Sequence, residues 1–236
     1  MLSIKNYSKI YKGNKKAVDN LSIEVEAGDI YGFIGHNGAG KTTTLRAVVG
    51  VLDFEEGTIE IDGVNIQKDP VGCKQKMAYI PDNPDLYEHL TGIQYLNFIG
   101  DLFGVSKKDR EDRIKKYSDL MEITSNLGDS IASYSHGMKQ KIAIISALIH
   151  EPKLMVLDEP FVGLDPKAAH SLKQIMKEMC ANGSAIFFST HVLEVAEKLC
   201  NKIAIIKGGK LIESGRTEDV IGKQSLEEVF LELVNE

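Results

Sequence analysis

Gly35-His36-Asn37-Gly38-Ala39-Gly40-Lys41-Thr42-Thr43 is the stretch on which the reading of this chain turns. It fits G-x-x-x-x-G-K-[ST], a loop that wraps a phosphate chain. An apolar run, Ile30 to Ile34, leads in, and a helix-like run, Thr43 to Val49, leads out. That strand–loop–helix context is the one the motif needs. Gly35, Gly38 and Gly40 let the backbone close around an anion with no Cβ in the way. Backbone N–H groups at a helix start then point at the charge. Lys41 is placed to reach β- and γ-phosphates, the Thr42 hydroxyl to ligate Mg²⁺, and the Thr43 hydroxyl to face the α-phosphate.

The rest of the chain bounds what such a loop can serve. Its 236 residues suit one domain, or one domain with an inserted subdomain. Hydrophobic residues make up 43% and charged residues 26%, enough to bury a sizeable core. A net charge of −6 argues against nucleic acid as a partner. No apolar run approaches a membrane span, the longest being Ile142 to Ile149, and the N-terminus has no apolar signal region. Cys73, Cys180 and Cys200 are far apart, which argues against a disulfide framework or a zinc site and for a reducing compartment.

Residues 2–11 and 20–26 alternate apolar and polar, as half-exposed antiparallel strands do, with Tyr11 just before a Lys12-Gly13-Asn14 turn. Gly57 to Gly63 reads as another strand, and Met77 to Ile80 as a short buried one stopped by Pro81. From about Leu86 to Ile149 the period becomes helical. It comprises a stretch around Ile93, Leu96, Ile99 and Phe103, a charged helix over 109–123 and an apolar one over 137–149. Strands return at 153–158, 184–189 and 203–207, separated by a helix after Pro166 and another over 192–199. Gly208-Gly209 turns into a strand over 210–213. Leu226, Val229, Phe230 and Leu233 mark a terminal amphipathic helix packed on the body. The expected architecture is an α/β nucleotide core of mostly parallel sheet, 1–82 and 151–236, with an N-terminal antiparallel β subdomain and a helical insert over 83–150.

A second constellation strengthens the first. Leu154-Met155-Val156-Leu157-Asp158-Glu159-Pro160 is an apolar strand ending in two carboxylates. A buried central strand delivers residues at its carboxyl end to the ligand crevice. There Asp158 can hold Mg²⁺ and Glu159 can take a proton from an attacking water.

Tyr134-Ser135-His136-Gly137-Met138-Lys139-Gln140 precedes this acid pair, while Gly163-Leu164-Asp165-Pro166 and Ser189-Thr190-His191 follow it. The ordered set resembles the ATP-binding subunit of an ABC transporter, a branch of the P-loop NTPases, over nearly the whole chain. The resemblance implies ATP and Mg²⁺ as cofactors and ATP hydrolysis as the activity. It also implies two ATPase domains, identical or paralogous, facing head to tail around two ATP.

In that family the nucleotide is held by the loop residues Gly35, Asn37, Gly38, Ala39, Gly40, Lys41, Thr42 and Thr43. The resemblance assigns Tyr11 to stack on adenine with Val18 flanking it, and Ser135 and Gly137 to contact the γ-phosphate of the ATP bound across the interface. Asp165 belongs to the loop linking the two sites. Glu159 is the base, His191 senses the γ-phosphate, and Lys41 completes the catalytic set. Thr42, Asp158 and Asp82 are the metal ligands. Asp82 stands where the family has glutamine, and Tyr134, His136 and Met138 replace three of the five residues of Leu-Ser-Gly-Gly-Gln. The other partner implied is a transmembrane permease, received on a groove near the helical insert with its Tyr87, Tyr95, Phe98 and Phe103. The location implied is the cytoplasmic face of the membrane, through that permease. Met138-Lys139-Gln140 and the short C-terminus resemble bacterial export-type subunits. The alternative within the family is a soluble assembly ATPase, for example one serving an iron–sulfur scaffold.

Overall fold

The computed structural model describes residues 1–13 and 15–235. Two sheets form its frame. The first, of order β2-β1-β4-β5, is antiparallel. It contains β1 (Leu2–Tyr11), β2 (Lys15–Val25), β4 (Glu56–Ile61) and β5 (Val64–Asn65). The second has the order β10-β9-β3-β8-β7-β6. It contains β3 (Ile30–Ile34), β6 (Met77–Ile80), β7 (Leu154–Asp158), β8 (Ala185–Thr190), β9 (Lys202–Lys207) and β10 (Lys210–Arg216). All its neighbours are parallel except the β9–β10 hairpin. This is the mixed α/β architecture of the P-loop NTPases.

Helix α1 (Lys41–Val48) lies between the sheets. The central strands are apolar on both faces, as a covered parallel sheet requires. Tyr31, Phe33, Leu154, Val156 and Phe187 face α1 and the antiparallel sheet. Ile30, Ile34, Met155, Leu157, Ile186 and Phe188 face the helices on the other side. Phe33, Phe187 and Phe188 are fully buried, each stabilising the fold by about 1.5–3 kcal/mol.

The remaining helices are α2 (Pro70–Lys74), α3 (Gly92–Leu102), α4 (Lys107–Leu120), α5 (His136–Leu148), α6 (Pro166–Ala181), α7 (Leu193–Leu199), α8 (Thr217–Ile221) and α9 (Leu226–Asn235). Helices α3, α4 and α5 form the insert. Their starts follow side-chain caps. Thr91 and Gln94 make a reciprocal box on α3, Ser106 caps α4, and Ser135 caps α5 through the Met138 N–H. The Ser106 cap starts α4 at Lys107 rather than Asp109, and the helix ends at Leu120 rather than Ile123. Helix α5 likewise spans 136–148, not 137–149.

Other expectations are corrected too. The second strand begins at Lys15, not residue 20, because it pairs with β1 from the turn onward. Asn14 of the expected turn lies outside the described residues. β10 continues past residue 213 to Arg216. Among the described residues no helix is long and apolar enough to cross a membrane.

All three cysteines are buried and unpaired. Burial pushes the thiols of Cys73 and Cys200 up, and that of Cys180 up to about 11.

His150 follows α5 and locks the insert to the core. Its ring stacks on Phe103 at 3.8 Å and 10°, and its Nε2 lies 3.2 Å from the Met77 carbonyl. Nε2 therefore carries the hydrogen, and the buried Nδ1 has no partner. Burial, with Arg113 adding to it, holds the imidazole below its usual range. The unfolded chain thus binds this proton more readily, so stability falls as pH drops through about 6.5. His150→Phe keeps the stack and removes the titration. Melting temperatures taken between about pH 7.5 and 5.5 are expected to fall less for the variant than for wild type. Equal slopes would remove His150 from the acid response.

Candidate nucleotide site

The cleft opens at the carboxyl ends of β3 and β7, where an α/β sheet places its ligands. Its volume is about 740 Å³. Gly40 supplies the turn into α1. Its φ is +111°, and a Cβ there would meet the Ala17 carbonyl at 2.6 Å. Helix α1 then presents its free first-turn N–H groups toward the loop.

Lys41 is buried beside this loop. Its ammonium donates to the carbonyls of Gly35 (2.5 Å) and His36 (3.4 Å) and lies 3.7 Å from Glu159 Oε1. Burial lowers its pKa, opposed by the charges of Glu159 and Asp158. Next to it the Thr42 hydroxyl donates to Asp158 Oδ2 at 2.7 Å. Asp158 is 2% exposed, and its other oxygen accepts the Ser189 hydroxyl.

Glu159 sits in a left-handed backbone conformation, φ +50°, uncommon for a non-glycine residue. Its N–H donates to the carbonyl and hydroxyl of Ser189, both at 3.2 Å. That turn carries its carboxylate off the strand and toward Lys41. His191 Nδ1 lies 2.9 Å from Glu159 Oε1. Lys41, Thr42, Asp158, Glu159 and His191 thus form one connected set. Asp82 lines the same cleft.

Tyr11 stands at the other end, 41% exposed, its hydroxyl 3.4 Å from Thr43 Oγ1. Lys12, Lys16, Ala17 and Gly208 line the cleft around it. The sequence did not single these out. They arrive through the β1–β2 turn and the β9–β10 hairpin, where Gly209 N–H donates to the Ala39 carbonyl at 2.9 Å. Ser189 was read only as part of a motif, and its grip on both acids is a tertiary fact. Val18 is a correction. Strand parity turns it inward, where it is fully buried under Gly40, and Ala17 faces the cleft instead.

Ser135, Gly137 and Asp165 are not part of this chain's own cleft. Ser135 is exposed at the start of α5. Asp165 caps α6 through the Ala168 N–H and pairs with Lys141 at 2.7 Å. That pairing holds its carboxyl below the usual range. The two segments interlock. A Cβ on Gly137 would meet the Gly163 carbonyl at 2.6 Å, and Gln140 Nε2 donates to the Pro160 carbonyl at 3.4 Å.

The hydroxyl and carboxylates along the cleft suit Mg²⁺, which takes one or two protein ligands and fills its shell with phosphate oxygens and water. Among the described residues no cluster of three or more His, Cys, Asp or Glu could hold a metal ion.

A phosphate loop, an acidic strand end and this sheet order define a P-loop nucleotide-binding ATPase. Comparison with known proteins narrows that class. Residues 18–162 match the family described as ABC transporter. EcsA of Bacillus subtilis (strain 168), an ABC-type transporter ATP-binding protein, is 35% identical over 241 residues, spanning 100% of this chain and 97% of EcsA. A solved structure described as the ATP binding subunit of an ABC transporter is 34% identical, covers 99% of each chain and gives a TM-score of 0.95. A dimeric ATP-binding cassette in a post-hydrolysis state, bound to ADP and Pi, shares the fold. Its TM-score is 0.83 at 22% identity, over 92% of this chain and 99% of that one. The chain belongs to the ABC transporter family, as its ATP-binding and ATP-hydrolysing subunit.

Proposed function

We propose that MgATP occupies the cleft between Tyr11 and the Lys41–Asp158–Glu159 cluster, and that two chains close head to tail over two nucleotides. Tyr11 stacks on the base. The loop amides and Lys41 bind the phosphates. The ammonium exchanges its contacts with Gly35 and His36 for phosphate oxygens. Thr42, Asp158 and Asp82 would hold Mg²⁺, which would supply neutralisation of phosphate charge. Glu159 orients water for in-line attack on the γ-phosphorus and accepts its proton as the bond to the β–γ bridging oxygen breaks and ADP leaves. His191, tied to the same carboxylate, contacts the γ-phosphate.

The observation that carries the dimer is the placement of Ser135. It is exposed at the start of α5 and lies outside its own chain's cleft, so it is available to a phosphate held by a second chain. A solved cassette of this fold, described as dimeric and bound to ADP and Pi, supports the same pairing here.

Ser135→Arg blocks the donor side of a shared site, and Lys41→Ala the acceptor side. Each variant alone is expected to be inactive. An equal mixture is expected to recover roughly a quarter of the wild-type rate, since half of randomly paired dimers keep one of two sites. Phosphate release measures it. No recovery above either variant alone would rule out sharing across the interface.

The permease contact falls on the groove between the end of α1, β6 and α3, lined by Val49, Met77, Tyr95, Ile99 and Phe103. Tyr87 and Phe98, 51% and 43% exposed, continue it over the surface. An amphipathic helix of a membrane-embedded partner fits such a groove by its apolar face. This contact would hold the chain at the cytoplasmic face of the membrane.

A further inference from the structure

The phosphate loop is braced unevenly. Its far end is fixed by the Gly209 N–H on the Ala39 carbonyl and by the Ala17 carbonyl packed against Gly40. Its apex, residues 36–38, is exposed. There the His36 ring meets Phe230 of α9, with centroids 4.9 Å apart at 69°. Phe230 itself is 5% exposed, and Leu226 on the same helix is fully buried. The Leu226 N–H donates to Glu197 Oε2 at 2.7 Å on α7, the helix that follows His191. So α9 rests on α7, the helix that follows His191, and reaches the phosphate loop at His36. The His36 carbonyl is also one of the two that accept from the Lys41 ammonium.

We propose that Phe230 is a positioning residue for ATP binding. It acts through His36 by holding the loop apex in its phosphate-receiving shape. The inference rests on reading the cleft as the nucleotide site. An edge-to-face aromatic contact favours one ring placement over others, and the backbone of His36 follows its ring. Without that contact the loop must be ordered by the nucleotide itself, which weakens binding and leaves the chemical step intact.

The test uses the full chain, MgATP, and steady-state phosphate release. Phe230→Ala and the volume-keeping Phe230→Leu are expected to raise KM roughly two- to tenfold with little change in kcat. Phe230→Tyr is expected to keep the wild-type KM. Val229→Ala shortens a buried side chain on the same helix without touching the His36–Phe230 ring pair. It is expected to lower the melting temperature without moving KM. The double variant His36→Ala/Phe230→Ala is expected to be no worse than the weaker-binding single variant. The proposal is overturned if Phe230→Leu leaves KM unchanged, if Val229→Ala raises it equally, or if the His36 and Phe230 effects multiply. Lys41→Ala separates this from the underlying reading. Should that variant bind MgATP like wild type, the nucleotide assignment fails; should only Lys41→Ala lose binding, the Phe230 role alone fails.

Discussion

Glu159→Gln is expected to cut ATP hydrolysis by roughly 10²- to 10⁴-fold, the range supplied by a positioned general base. The amide keeps the shape of the side chain and its reach to His191, 2.9 Å away in the native protein. It can still orient a water but cannot take its proton. It also removes the negative charge 3.7 Å from the Lys41 ammonium, which favours an anionic γ-phosphate in the same place. Binding is therefore expected to survive, and the ATP-bound dimer to accumulate. Phosphate release and size-exclusion chromatography with MgATP read both effects. Hydrolysis at the native rate would remove Glu159 from the role of base.

Lys41→Ala is expected to act earlier, on binding. Loss of a charge-assisted phosphate contact, inside a site that keeps Asp158, Glu159 and Asp82, is expected to weaken MgATP affinity by about a hundredfold or more. The remaining carboxylates then face the triphosphate with no cation of the loop between them. Calorimetric titration measures the affinity, and turnover is expected at background. Native affinity in this variant would be incompatible with phosphates lying beside Lys41.

The two loops at the heart of the cleft were legible because their chemistry is local. Gly40, Lys41 and Thr42 are adjacent in the chain, and Asp158 and Glu159 end one uninterrupted apolar strand. That β3 and β7 are buried strands followed from their apolar runs in the same way. What escaped depends on register or on short elements. Val18 was put beside the base, but the β1–β2 ladder shifts register between Tyr7 and Lys9 and again before Ile10. The resemblance that placed Val18 carries no register, and Ala17 reaches the cleft instead. Helices α2 and α8 are five residues each, too short for any periodicity to register. Asp69 before Pro70 was the readable sign of α2, a cap with proline behind it. The Ser106 cap was likewise overlooked, which displaced the start of α4 by two residues. Ser189 holds both acids only because β7 and β8 are neighbours in the sheet.

The buried thiols have a practical consequence. Cys73, Cys180 and Cys200 are shielded from solvent and disfavoured as thiolates, so maleimide reagents meet almost no native background. A single cysteine introduced on the surface of the otherwise unaltered chain then becomes a clean attachment point for a spin label or fluorophore. Opening and closing of the proposed dimer could then be tested by distance measurement without first stripping the native sulfurs.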